Sequence, residues 1–308
     1  MAATDGRGNR DVLIALLGLT GAGKTTFTMR ASGNTELKVG HSIYPCTQDP
    51  QAVRFALDGR QILLIDTPGF DDDDRSDVEI LEDMGEWMSK QDFFNKGATQ
   101  LDGLILLHPV TMHRVGGSER RRTRLLQNLL GKAAYKRIVI ATTMWERLRN
   151  EEDVAKGIEG RKTDVWADLL DSGATYMKHY DSPDSAHRII RKIIELSERH
   201  GTLEPLIKNE LAKNRQFVKT TAGKSVKTDL EDDLKRAKTL LEKHDRAPPR
   251  KPQGADKVLH RKRRKEYEEW LVEKQTLEKR VERIEARLVK VSSNDNKWSI
   301  LLASCTVM

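Results

Sequence analysis

Near its N-terminus the chain reads Gly18-Leu19-Thr20-Gly21-Ala22-Gly23-Lys24-Thr25, which matches the phosphate-binding P-loop pattern Gly-x4-Gly-Lys-Ser/Thr in full. The glycines let the backbone curl so that successive N–H groups point into one concavity, which suits an anion. Lys24 is placed to reach the outer phosphates of a nucleotide, and the Thr25 hydroxyl to ligate magnesium. The predicted nucleotide-binding residues are Gly18, Thr20, Gly21, Ala22, Gly23, Lys24, Thr25 and Thr26.

The segments on either side of this loop support the same interpretation. Val12–Leu17 is a continuous apolar run, as expected of a buried parallel strand. Thr26–Arg30 contains neither Gly nor Pro, so a helix can begin there with its N-terminus facing the anion. This strand–loop–helix order predicts a nucleoside triphosphate as the ligand.

A second motif follows another apolar run, Ile62–Ile65, and reads Asp66-Thr67-Pro68-Gly69. An aspartate at the carboxyl end of a strand beside a P-loop supplies the second magnesium contact in such proteins. The backbone N–H of Gly69 can approach the terminal phosphate closely because glycine has no side chain. Taken alone the motif is an ordinary turn, but behind a P-loop it predicts a magnesium site.

These motifs resemble the translation-factor-related class of P-loop GTPases, and within it the septin-like group of immunity-associated GTPases and chloroplast import receptors. The resemblance covers about residues 10–200. Three runs, Val39–His41, Pro45–Gln48 and Asp66–Asp72, are similar to a set of fungal G-domain proteins with coiled-coil tails.

The resemblance implies a GTP/GDP switch that uses Mg²⁺ and whose G domains pair face to face as homodimers. Thr47 becomes the first-switch threonine, which ligates magnesium and senses the terminal phosphate. With Lys24 and Gly69 it forms the predicted catalytic set, and with Thr25 and Asp66 the predicted metal ligands.

Base recognition departs from the family pattern. The guanine-selecting signature Asn/Thr-Lys-x-Asp should follow the fifth strand, where this chain has Thr142-Thr143-Met144-Trp145-Glu146. The lysine and the base-reading aspartate are both missing. The candidate replacement for the aspartate is Glu146 or a group from a partner subunit. A bidentate carboxylate discriminates guanine from adenine because the wrong base would leave polar groups unpaired. An ATP-using protein is the alternative.

The residue expected to assist hydrolysis also differs from the family pattern. Phe70 lies where many small GTPases have the glutamine that orients the attacking water. A phenyl ring cannot orient water, so we expect slow intrinsic turnover. His41, Arg75 and Arg114 are candidates for completing a site in trans, chosen by location only. The rival hypothesis is a nucleotide-stabilised scaffold with negligible hydrolysis.

Apolar runs alternate with helical stretches and predict an α/β domain of three layers, a mainly parallel sheet with helices on both faces. The predicted strands are Val12–Leu17, Ala52–Leu57, Ile62–Ile65, Leu101–Leu107, Arg137–Ala141 and Ala174–Lys178. The helix Ala186–His200 should close the domain. We predict a flexible N-terminus (1–9), a P-loop G domain (10–200), a helical hairpin or coiled-coil region (201–291) and a flexible tail (292–308).

Beyond Gly201 the pattern is helical, with breaks near Gly223 and at Pro248-Pro249. Apolar residues keep the 4-3 spacing of heptads, with one polar interruption at Lys274. They are Leu230, Leu234, Ala237 and Leu241, then Trp270, Leu277, Val281, Ile284, Leu288 and Val291. This predicts an α-helical coiled-coil extension, in which the two segments form a hairpin or the second pairs with another chain.

The basic charge is concentrated in this extension. Residues 201–308 have a net charge of +9 and residues 1–200 a net charge of −2, which argues against a G-domain face for nucleic acid. Arg261–Lys265 is a basic cluster with three interpretations: a solvated helix face, a membrane-surface contact, or a nuclear-import or nucleic-acid contact. No aromatic residues interleave with it, which argues against stacking on single strands.

The last four residues, Cys305-Thr306-Val307-Met308, form a C-a-a-X prenylation box, and a terminal Met favours farnesyl. One prenyl chain anchors only marginally, so a second membrane signal is expected. The polar N-terminus predicts no signal peptide, and the two cysteines fit a reducing compartment. We therefore expect a cytoplasmic protein that associates peripherally with a membrane.

Overall fold

The structure, a computed structural model, describes residues 10–35, 51–66, 101–112, 117–147, 151–203, 205–214, 216–251 and 257–293. Its strands are β1 (Val12–Gly18), β2 (Gln51–Leu57), β3 (Arg60–Asp66), β4 (Gly103–Pro109), β5 (Ile138–Thr143) and β6 (Thr175–Lys178). Its helices are α1 (Lys24–Ser32), α2 (Gly117–Leu130), α3 (Lys132–Tyr135), α4 (Glu151–Thr163), α5 (Ala167–Asp171), α6 (Pro183–His200), α7 (Leu206–Asn214), α8 (Thr221–Arg246) and α9 (Lys257–Ser292).

The strands form one sheet in the order β2-β3-β1-β4-β5-β6. Neighbouring strands are parallel except for the edge strand β2, which is antiparallel to β3. The predicted strands are confirmed, with ends that differ by at most two residues. Because parallel strands end at the same edge, the segments that follow β1, β3 and β5 meet there.

Helices cover both faces of the sheet, as predicted. On one face α1 and α6 pack on the sheet through an apolar cluster that includes Phe27, Ile190 and Ile193. On the other face, α2 to α5 enclose a second cluster around Leu129 and Trp166. Helix α6 begins three residues earlier than predicted, because Ser182 caps it and Pro183 suits its first turn.

Two long helices, α8 and α9, lie side by side within one chain, as the hairpin alternative predicts. Ala237 of α8 and Ile284 of α9 are buried in the cluster that also contains residues of α2. The ion pairs Lys238–Glu285 (2.6 Å) and Lys274–Asp245 (2.8 Å) show that the two helices run antiparallel. Coiled-coil pairing with a second chain stays a prediction.

The predicted break near Gly223 lies slightly earlier, in the short 3-10 turn Phe217–Lys219. Gly223 itself is in the first turn of α8, where its N–H donates to the Thr220 hydroxyl at 3.0 Å. Within the described residues, no helix is both long enough and apolar enough to cross a bilayer.

Candidate nucleotide-binding site

The loop between β1 and α1 has the conformation that its glycines allow. Gly18 has a φ of +155°, and a Cβ there would lie 2.6 Å from the carbonyl oxygen of Leu107 on β4. Gly23 precedes α1 with a φ of +90°. A Cβ added at Gly21 or Gly23 would meet nothing within 4 Å. The loop is therefore tight against the sheet at its start and open on the side where phosphates would bind.

Lys24, the first residue of α1, folds back across this loop. Its ammonium group donates to the carbonyl oxygens of Gly18 and Leu19, each at 3.0 Å, and only 7% of the residue is exposed. Burial lowers the pKa of Lys24 to about 8, against the opposing effect of Asp66. Burial of the positive charge beside the loop therefore costs free energy, which a bound anion would offset.

Thr25 and Asp66 meet beside the loop. Leu16 of β1 pairs with Asp66 at the end of β3, which brings the carboxylate next to α1. The Thr25 hydroxyl donates to Asp66 Oδ2 at 2.7 Å. Among the described residues Asp66 Oδ1 is buried and finds no hydrogen-bond partner, and burial raises the pKa of this carboxyl.

This pair fits magnesium by the chemistry of its donors. Mg²⁺ binds hydroxyl and carboxylate oxygens, and a cation would satisfy the buried Oδ1 atom. Thr25 and Asp66 are the described residues that would hold the ion, which would neutralise the charge of nearby phosphates when bound.

The end of β5 also reaches the loop, through a contact that the sequence did not reveal. The hydroxyl of Thr143 donates to the carbonyl oxygen of Ala22 at 2.9 Å, and both residues are buried. Thr143 therefore lies against the P-loop, and Glu146 follows three residues later. This is the spacing of the first and last residues in Asn/Thr-Lys-x-Asp, so Glu146 aligns with the aspartate of that signature when Thr143 is taken as its first residue.

Residues 13–143 match the family model described as a 50S ribosome-binding GTPase. The chain contains a P-loop GTPase G domain. No curated protein sequence matches the chain.

Solved structures of Toc33 from Arabidopsis thaliana share the fold of this G domain. The complex with GDP and Mg²⁺ has a TM-score of 0.50 at 15% identity, over 63% of this chain and 88% of that one. The complex with Mg²⁺ and GMPPNP has a TM-score of 0.50 at 15% identity, over 64% and 88%. A structure reported with the finding that dimerization is important for the GTPase activity of atToc33 and psToc159 has a TM-score of 0.51 at 14% identity, over 64% and 87%. At such identities the likeness concerns the fold alone.

In this G domain the loops after β5 and β6 lie side by side. The indole N–H of Trp145 donates to the Thr142 carbonyl oxygen at 3.1 Å. The ammonium of Lys178 lies 4.2 Å from the centre of the Trp145 ring, a cation–π contact. Tyr180, which is 53% exposed, is 6.3 Å from Trp145 between ring centres. The first of these loops is where the guanine-selecting signature is expected, and the second packs against it.

The structure brings together Gly18, Lys24, Thr25 and Asp66 of the predicted site. Thr20 and Gly21 are exposed at the top of the loop, and Thr26 is half-buried on α1. Thr47, Gly69 and Cys305 lie outside the described residues, as do Phe70, His41, Arg75 and Arg114.

Lys178 and Tyr180 are the residues of this region that the sequence did not single out. No motif marks them, because their relevance depends on the parallel pairing of β5 with β6, which places Thr142 beside Lys178. The signal that would have identified Thr143 was its three-residue separation from Glu146.

Proposed function

We propose that this protein is a magnesium-dependent guanine-nucleotide switch that hydrolyses GTP slowly. The observation that carries the proposal is the buried Asp66 carboxylate beside the P-loop, with one oxygen bonded to Thr25 and the other without a partner among the described residues. A cation and the phosphates it accompanies would satisfy both the carboxylate and Lys24. The structures of Toc33 with GDP and Mg²⁺ and with Mg²⁺ and GMPPNP are consistent with this ligand set.

Guanine is the proposed base because Glu146 aligns with the aspartate of the guanine-selecting signature. Guanine presents two adjacent N–H donors, which one carboxylate can accept, whereas adenine lacks that pair. Glu146 is half-exposed and lies 3.7 Å from Arg147, an ion pair that solvent weakens. The carboxylate can therefore turn to a ligand at little cost.

Slow hydrolysis is proposed because Phe70 replaces the usual glutamine. Pairing of two G domains would supply the missing group, and the reported importance of dimerization for GTPase activity in atToc33 and psToc159 supports this part. A scaffold without hydrolysis and an ATP-using protein are the rival functions.

The finer assignments belong to the same proposal. We propose that the protein belongs to the septin-like group and is similar to the fungal G-domain proteins with coiled-coil tails. We also propose that it is cytoplasmic and binds a membrane peripherally through lipid at Cys305. Equal membrane fractions for the parent chain and a Cys305→Ser variant in a prenylating host would contradict the lipid attachment.

Phosphate release from GTP and from ATP, measured with magnesium across a wide range of protein concentration, tests the catalytic proposal. We expect GTP turnover with a specific activity that rises with protein concentration, because the site is completed in trans. A specific activity independent of concentration would place the catalytic group within one chain. Faster turnover of ATP would overturn the guanine assignment, and no turnover of either nucleotide would favour the scaffold.

A Glu146→Ala variant is expected to lose preference for GTP over ITP. ITP lacks the 2-amino group of guanine, so a side chain that accepts from this group favours GTP over ITP, and its removal abolishes the preference. A hydrogen bond to a charged group is worth about 1.5–3 kcal/mol, so the parent should prefer GTP by roughly tenfold or more. The dissociation constants of both nucleotides, measured by calorimetry, give this ratio.

Glu198→Ala is the matched control, because Glu198 is exposed on α6 and pairs with Arg60 at the start of β3. The control should keep the parent's GTP-to-ITP ratio. If Glu146→Ala keeps that ratio too, another group reads the base.

A further inference from the structure

At the tip of the hairpin, α9 projects beyond the end of α8. The indole N–H of Trp270 donates to the carbonyl oxygen of His244, close to the end of α8 at Arg246. Since the helices are antiparallel and α8 ends two residues beyond His244, residues 257–267 of α9 extend past the end of α8. At 1.5 Å per residue this projection is about 16 Å long.

The tip carries most of the net positive charge of the protein. Residues 243–269 contain ten Lys or Arg residues against five Asp or Glu, a net charge of +5, whereas the whole chain has +7. The remainder of the chain has a net charge of only +2. Glu266, Glu268 and Glu269 follow the cluster, and Arg264 and Lys265 pair with the latter two. Such exposed i,i+4 pairs are weak and leave both basic groups available.

The aromatic rings at the base of the tip are engaged with one another. His244 stacks on Trp270 with ring centres 5.0 Å apart, and Tyr267 stacks on the same indole at 5.8 Å. His244 and Tyr267 each have one face against the indole, which reduces the aromatic surface that could stack on nucleotide bases and so weakens the case for single-strand binding.

The arrangement of the basic residues suits contact between the N-terminal end of α9 and a flat surface. Five consecutive residues, Arg261–Lys265, point in all directions around a helix because each turns by about 100°. They do not form a stripe that could follow one nucleic-acid strand. Along the helix axis they span about 6 Å, which is within one Debye length of about 8 Å at physiological salt. The backbone of the cluster lies about 6 to 12 Å along the axis from the start of α9, and long Lys and Arg side chains carry their charges several ångströms nearer to a surface there. A plane of negative charge at the end of the helix can therefore attract the cluster as a group.

We propose that the hairpin tip binds an anionic membrane surface through Arg261–Lys265. The partner is a bilayer rich in acidic headgroups, for which clusters of four to eight basic residues on a helix are suited. This contact is electrostatic and requires neither lipid at Cys305 nor nucleotide. It would give the proposed lipid anchor a second attachment point at the far end of the hairpin.

The test is sedimentation of the full, unprenylated chain with vesicles of phosphatidylcholine containing 30% phosphatidylserine or none. We expect binding only to the anionic vesicles, with affinity that falls steeply between 50 and 300 mM salt. A Lys262→Ser, Arg264→Ser, Lys265→Ser triple variant should bind at least about tenfold more weakly, since each basic group near the surface contributes.

The matched control is Lys279→Ser, Arg280→Ser, Arg283→Ser, which removes the same charge from exposed positions on the same helix, alongside α8. It should bind nearly as well as the parent, and circular dichroism should show that both variants keep their helices. Equal loss in both variants, or no binding of the parent, would overturn the proposal. So would tighter binding to a homopolymer RNA than to vesicles at the same salt.

Discussion

A Lys24→Met variant is expected to keep its fold and to bind GTP at least about 100-fold more weakly than the parent. The ammonium group lies within the phosphate-binding loop, where it donates to Gly18 and Leu19 in the nucleotide-free chain. Two charge-assisted hydrogen bonds to phosphate are worth about 3 kcal/mol or more together, and each 1.4 kcal/mol is tenfold in affinity. Titration of a fluorescent GTP analogue, with magnesium, gives the dissociation constants.

The fold should survive because two effects on the free energy of unfolding oppose each other. The lowered pKa of Lys24, about 8 against an ordinary 10.5, means that burying the charge costs roughly 3 kcal/mol at neutral pH. Methionine has a similar length and avoids that cost, but it leaves two carbonyl oxygens without their donor, at about 1–3 kcal/mol each. The net change should lie between about 1 kcal/mol of stabilisation and about 3 kcal/mol of destabilisation.

The pH dependence of stability provides an independent check on this balance. Because the folded pKa of Lys24 lies below the unfolded value, the folded chain binds fewer protons, and stability should rise between pH 8 and 10.5. The Met variant should lack this rise in urea denaturation. Tight GTP binding by the folded variant would contradict the role of Lys24.

An Asp66→Asn variant is expected to lose most of the strengthening of GTP binding by Mg²⁺. The amide keeps an oxygen that can accept from Thr25, but it has no negative charge to hold a cation. Losing one charged ligand costs about 1.5–3 kcal/mol, so the ratio of dissociation constants in EDTA and in Mg²⁺ should fall by roughly tenfold or more.

In the absence of nucleotide, the Asp66→Asn variant should be at least as stable as the parent. Burial raises the pKa of Asp66, so its contribution to stability is present at low pH and is lost as pH rises through that pKa. At neutral pH the buried carboxylate is therefore a destabilising group, and the Asn variant should melt at the same or a higher temperature. Mg²⁺ alone should raise the melting temperature of the parent and not of the variant.

Asp58→Asn is the matched control for this substitution. Asp58 is exposed at the turn between β2 and β3, at the opposite end of the sheet from Asp66 and paired with Arg191. This control should respond to Mg²⁺ as the parent does. An Asp66→Asn chain that Mg²⁺ still stabilises equally would place the metal elsewhere.

The sequence predicted the sheet and the phosphate-binding loop well, because both depend on local patterns. Val12–Leu17 and Ile62–Ile65 are apolar runs whose burial as strands follows from their composition. Gly21 and Gly23 are needed for their positive φ angles, which is a local requirement, although Gly18 is also needed because β4 passes close to it. The sequence predicted Thr25 and Asp66 as magnesium ligands, and the structure places the two side chains in contact because β1 and β3 end at the same edge of the sheet.

The base-recognition loops could not be predicted in the same way. The contact that fixes their position joins Thr143 to Ala22, which are 121 residues apart in the chain. Met144 has a φ of +67°, an uncommon conformation for a residue with a side chain, and no local pattern indicates it. The sequence also could not decide between a hairpin within one chain and a coiled coil of two chains, since heptad spacing is the same for both.

The packing of α8 against α2 has a mechanical consequence. The two helices share an apolar cluster and the ion pair Arg124–Asp229, so the base of the hairpin moves with a helix of the nucleotide-binding domain. Helix α9 has 36 residues and is therefore about 54 Å long. A rotation of about 10° at its base would displace its far end by about 9 Å, so the hairpin would act as a lever on any small movement of the domain.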